Sequence, residues 1–132
     1  MPLDCINPAD LPPAQTYTHV VSASGGRMVF VAGQVAEDAD GRLVGAGDLG
    51  AQARQAFANV GRALAAAGAR PEQVARITIY VAGYRPEHIP IVEAGRRALF
   101  GDHKPADVLL GVQALSDPAY LIEVDAVAVV DG

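Results

Sequence analysis

Residues Tyr120 to Val130 read YLIEVDAVAVV, and the fold follows from how this stretch is read. Written as a strand, it places Ile122, Val124, Ala126 and Ala128 on one face and Leu121, Glu123, Asp125, Val127 and Val129 on the other, because side chains alternate with a period of two. Both faces are apolar along much of their length. A strand buried on both sides needs a cover above and below, and the chain has helices for one side only (below). The other side predicts a second copy of the chain, since a monomer would expose a large apolar patch. Glu123 and Asp125 interrupt that second face, where an ionised carboxylate is costly unless paired. Either Glu123 transfers protons or orients water, or the acids form an ion pair across a subunit interface.

Working outward, the turn SDPA joins this strand to Ala106–Leu115 (ADVLLGVQAL), a second strand. Val74–Ala82 (VARITIYVA) is rich in β-branched residues, with Ile77, Ile79 and Val81 alternating, and reads as a third. Asp48 is placed to cap a helix whose apolar positions, Leu49, Ala53, Ala56, Phe57, Val60, Leu64 and Ala67, recur every three or four residues up to a stop at Gly68. Gln52, Arg54, Gln55 and Arg62 are expected to point elsewhere. A second helix runs from about Glu87 or Pro90 to Phe100, with Ile91, Val92, Gly95, Leu99 and Phe100 inward. Tyr17–Ala23 and Met28–Ala32, joined at Gly25-Gly26, read as a hairpin. Pro2, Pro8, Pro12 and Pro13 make the first fifteen residues an extended, irregular arm. The order β-β-(β)-α-β-α-β-β implies an α+β fold: a mixed sheet with two helices on one face.

A length of 132 residues fits one domain over 1–132, and 51% hydrophobic against 19% charged residues excludes disorder. No apolar run is long enough to span a bilayer, and MPLDCINPADLPPAQ lacks a basic start and an apolar stretch, so a soluble, cytoplasmic protein is expected, with no membrane partner. Fifteen acids against ten bases, a net charge of −5, leave no surplus field for nucleic acid. The lone Cys5 forms no internal disulfide and suits a reducing compartment. His19, His88 and His103 are too scattered for a metal motif, and no phosphate-binding glycine loop is present, so neither metal nor cofactor is expected. Tyr17 opens a strand where its hydroxyl either meets a ligand or caps the core. Gly33, ending the strand before Gln34, either lets a ligand approach the backbone or is an ordinary strand-end glycine.

Taken together, INPADLPPA, AGQ at 32–34, DLGAQARQAFANVGRALAAAGA, ITIYV at 77–81 and LIEVDAVAV at 121–129 resemble the Rid family of reactive-intermediate deaminases, also labelled endoribonuclease L-PSP. The resemblance implies a chorismate-mutase-like fold assembled as a homotrimer, with a cleft between each pair of subunits. In the deaminating branch, imines and enamines are hydrolysed to ketoacids and ammonia without a cofactor, and an arginine grips the substrate carboxylate. The resemblance makes Glu123 the catalytic, water-positioning acid, Tyr17 the pocket tyrosine and Gly33 the glycine lining the cleft.

The arginine does not carry over. Where that branch reads Pro-Ala-Arg-Ser-Cys, this chain reads Pro105-Ala106-Asp107-Val108-Leu109. An acid repels what an arginine binds, by about 4 kcal/mol per unit-charge pair at about 4 Å and an effective dielectric of about 20. With Asp107, Glu123 and Glu93 around it, the cleft should favour a neutral or amine-bearing metabolite, bound by Tyr17, Gly33, Glu93, Asp107 and Leu109. Arg85, Arg96 and Arg97 are the cations that can swing in to replace the arginine. The expected function is hydrolysis of an imine, enamine or related labile bond, weak on anionic 2-iminoacids. A non-catalytic trimeric binding or chaperone-like protein is the alternative. RNA cleavage follows from the historical family label alone, and the acidic charge argues against it.

Overall fold

The structure, a computed structural model, describes residues 3–131. Pro2, the first proline of the expected arm, lies outside the described residues. Eight elements follow one another: β1 (Leu3–Ile6), β2 (Val20–Ala23), β3 (Arg27–Gln34), α1 (Leu49–Ala66), β4 (Val74–Ala82), α2 (Ile89–Phe100), β5 (Ala106–Val112) and β6 (Ile122–Val130). Short 3-10 turns at Pro71–Gln73 and Pro86–His88 lead into β4 and α2.

Four strands form a mixed sheet in the order β3-β6-β4-β5. β6 runs antiparallel to both β3 and β4, and β5 runs parallel to β4 with α2 as the crossover. Ile77, Ile79 and Val81 stand opposite Ala126, Val124 and Ile122, all buried, and with Val29 and Val31 they meet the helices. This is the expected α+β architecture with two helices on one face. The helix layer packs closely because its contacts are small: a methyl group at Gly95 would come within 2.9 Å of the Ala53 Cβ. The opposite face carries Met28 and Phe30 from β3 and Leu110 from β5, which are 57%, 71% and 43% exposed.

Asp48 caps α1 as expected, its carboxylate accepting from the Ala51 N–H at 3.1 Å. Gln52 does not point outward. It is fully buried, donating to the carbonyls of Gly45 (3.2 Å) and Ala119 (3.0 Å) and accepting from the Leu121 N–H (2.9 Å). These bonds tie α1 to the loop before β6, which therefore begins at Ile122 rather than Tyr120. β5 likewise ends at Val112 rather than Leu115. In α2 the buried residues are Val92, Gly95, Arg96 and Phe100, whereas Ile91 is 40% exposed.

The expected hairpin of Tyr17–Ala23 with Met28–Ala32 is not formed. β2 pairs with β1 in a separate two-stranded ribbon, so the proline-rich arm holds a strand, and β3 pairs with β6 instead. Gly25 and Gly26 do turn the chain, with φ of 63° and 73°. The entry to β2, however, is held at the opposite edge of the sheet. The Thr18 N–H donates to the Pro105 carbonyl at 3.2 Å and the Thr18 hydroxyl donates to the Lys104 carbonyl, both just before β5. The chain thus crosses from the β5 edge to the β3 edge, touching β4 on the way, instead of folding back along β3.

Candidate functional site

Register sorts the candidate residues onto two faces. Asp107 and Leu109 stand beside Ile77 and Ile79 across the parallel pair, so both face the helices. Glu123 stands opposite Tyr80, and Asp125 opposite Thr78, on the other face. Within one chain, the acids expected to share a cleft therefore form two separate groups.

The helix-side group opens on a cavity of about 140 Å³ between α2, β4, β5 and the segment before β2. Ile79, Val92 and Leu109 supply its apolar wall, Thr16 and Ile89 its rim, and Glu93, Arg96 and Asp107 its charges. Arg96 is 1% exposed. Its Nε donates to Glu93 Oε2 at 2.7 Å, its Nη2 to Glu93 Oε1 at 2.6 Å and its Nη1 to the His103 carbonyl at 3.1 Å. Such a paired, bidentate arrangement is the geometry in which a buried guanidinium is best satisfied. Asp107 takes part in none of the ion pairs among the described residues. Burial pushes its carboxyl up to about 6; Arg96 pulls it down, Glu93 pushes it up again, and Arg76 pulls it down.

Of Arg85, Arg96 and Arg97, the three arginines the sequence offered for the cleft, Arg96 alone lines this cavity, and Glu93 already neutralises it. The Arg85 side chain is 71% exposed and lies 3.5 Å from Glu87, and Arg97 is exposed. Tyr17 is half-buried with its ring edge-on to His19, centroids 5.1 Å apart, and its neighbour Thr16 meets the cavity in its place.

On the open face, Gly33 and Glu123 touch. A methyl group added to Gly33 would collide with Glu123 Oε2, so the bare α-carbon is what admits the carboxylate. The space beside the Gly33 α-carbon is thus occupied by the Glu123 side chain. Asp125 is explained locally, since the Tyr80 hydroxyl donates to its Oδ2 at 3.0 Å, an interaction that also raises the Tyr80 pKa. Tyr80 escaped sequence reasoning, although its position in the alternation of β4 puts it on the face of the two acids.

A wider groove of about 760 Å³ runs between the end of β3, the loop after it and α1. Gly33 is the one candidate residue on its wall. Its amides are occupied in holding the loop: Asn59 donates to the carbonyls of Val35 (3.0 Å) and Glu37 (2.8 Å), and Gln55 to that of Glu37 (3.1 Å). Among the described residues, no three His, Cys, Asp or Glu side chains converge as metal ligands, and no helix is long and apolar enough to cross a membrane.

Residues 8–130 match the family described as Endoribonuclease L-PSP. A RutC family protein of Pyrococcus horikoshii is 30% identical over 116 residues, 88% of each chain. Among solved structures, YyfB of Yersinia pestis, from the conserved Rid protein family, superposes with a TM-score of 0.94 at 38% identity, covering 98% of this chain and 100% of its own. The YjgF gene product of E. coli superposes with a TM-score of 0.69 at 28% identity, covering 92% and 91%.

Proposed function

The chain belongs to the Rid (endoribonuclease L-PSP) family, and on that footing we propose that it is a cofactor-free, cytoplasmic, single-domain enzyme that hydrolyses an imine, enamine or related labile metabolite and acts poorly on small anionic 2-iminoacids. It works as a homotrimer. The apolar face bearing Met28, Phe30 and Leu110 supports that assembly, because a partner subunit would remove it from water. Across such an interface, the Glu123–Gly33 group of one subunit completes the Asp107–Leu109 group of the next, with Tyr17 at the junction. Glu123 orients the attacking water, and Asp107, Glu93 and Leu109 select the substrate.

One observation carries the substrate preference: the cavity holds an unpaired Asp107 while its arginine, Arg96, is already bound on three sides. A carboxylate-bearing ligand entering it would meet net negative charge. RNA cleavage is not proposed, because a net charge of −5 opposes approach of a phosphate backbone.

The test generates 2-iminopropionate in situ and follows ketoacid release. The unmodified protein should add little to the spontaneous rate, and Asp107→Arg should raise its contribution about tenfold or more, the gain of one charge-assisted contact. Acceleration by the unmodified protein equal to that of an arginine-bearing family member would overturn the reading.

A further inference from the structure

The cavity beneath Thr16 defines a ligand class more narrowly than the reaction type does. Resting on the imine-hydrolase reading above, we propose that it takes a small aliphatic iminium cation without a carboxylate, its nitrogen on Asp107 and its alkyl group against Ile79, Val92 and Leu109.

Charge comes first. Glu93 and Arg96 cancel each other, and the arginine's remaining interaction goes to the His103 carbonyl. Asp107 is left as the uncompensated charge on the cavity wall. No hydrogen bond contributes to its shifted protonation, which burial dominates, with Arg96, Glu93 and Arg76 as the charged groups around it. A half-buried carboxylate whose charge is disfavoured by burial gains from a ligand N–H⁺ twice, by charge and by hydrogen bonding. A neutral alcohol supplies the hydrogen bond without the charge, and an anion supplies neither.

Size and polarity come next. A volume of about 140 Å³ holds about five water-sized groups at roughly 30 Å³ each, which corresponds to a nitrogen and about four carbons. Ile79 and Val92 are 3% and 2% exposed and form an apolar floor, while Ile89, 46% exposed, stands at the mouth. The reaction balances as R₂C=NH₂⁺ + H₂O → R₂C=O + NH₄⁺. Water oxygen bonds to the iminium carbon, the C–N bond breaks with its electron pair going to nitrogen, and both water protons leave on that nitrogen as ammonium. The charge held by Asp107 is conserved from substrate to product.

Calorimetric titration with isobutylammonium, isobutanol and isobutyrate at pH 7.5 separates the terms without relying on turnover. Isobutylammonium should saturate at least tenfold more tightly than isobutanol, isobutyrate should give no binding, and Asp107→Asn should erase the preference for ammonium. Equal binding of ammonium and alcohol, or a preference that survives Asp107→Asn, overturns the inference. A parallel assay supplies the aldimine by oxidising isobutylamine with an imine-releasing amine oxidase and reads aldehyde formation. Selective ammonium binding without faster aldehyde release keeps the cation site and rejects the hydrolase reading. Faster aldehyde release without selective ammonium binding does the reverse.

Discussion

Asp107 shows how one side chain links stability to ligand choice. Its folded-state pKa, about 6, lies above the ordinary 3.8, so the neutral acid is the form that the fold favours. The stabilisation tied to that form is complete below pH 3.8 and is lost as pH rises through about 6, above which an ionised group sits partly buried. Asp107→Asn removes the ionisation. Its melting temperature should exceed that of the unmodified protein at pH 8 and match it near pH 4. Because the group keeps contact with water, the gain is on the order of 1 kcal/mol after discounting for solvent screening. Thermal unfolding of both proteins across that range checks it, and an advantage that grows towards pH 4 would contradict the assignment. Asp107 was legible in sequence as an acid at a position of interest. That Glu93 had already claimed Arg96 was not, because an i, i+3 pair on a helix reads equally well as a solvent-exposed contact.

At the level of elements, α1, β4 and α2 could be read directly, since each has a recurring apolar period, and Asp48 and Gly68 bound the first of them. In the helices, the reading failed on polar residues with inward positions and on Ile91, which is exposed. Gln52 follows Leu49 by three and precedes Ala56 by four; Arg96 lies four from both Val92 and Phe100. Both occupy the buried stripe, and residue type argued them out of it. Gln52 is inside because it found partners distant in sequence, Ala119 and Leu121, which no local pattern encodes; Arg96 is inside because Glu93, three positions back, neutralises it and the His103 carbonyl accepts from its Nη1. Gln52→Ala would strand the Leu121 N–H and two carbonyls. It should cost about 2 to 3 kcal/mol, within the range for orphaned buried polar groups, measurable as a lower urea midpoint at unchanged slope. The β2–β3 hairpin failed for a related reason: Gly25-Gly26 is a sound local turn signal, and two bonds from Thr18 to the start of β5 outweigh it.

For the molecule as a whole, the double-sided apolarity of β6 pointed to a cover for each face. Helices provide one, and the other bears Phe30 at 71% exposure. Sedimentation should find three chains per particle. Phe30→Glu, which places a charge in the middle of that face, should shift the population to single chains and abolish turnover, while far-UV circular dichroism stays unchanged. Single particles from the unmodified protein at micromolar concentration would rule out the assembly. The division of the candidate acids between two faces could not be foreseen without register, because one residue of slip exchanges the faces of a strand.

The Thr18 anchor has a consequence for biogenesis. Its hydroxyl meets a carbonyl 86 positions later in the chain, so a ribosome must release most of the polypeptide before the amino-terminal ribbon has anywhere to dock. Contacts that distant form slowly and late. The first segment to be translated is thus among the last to settle, its anchor waiting on a strand not yet made.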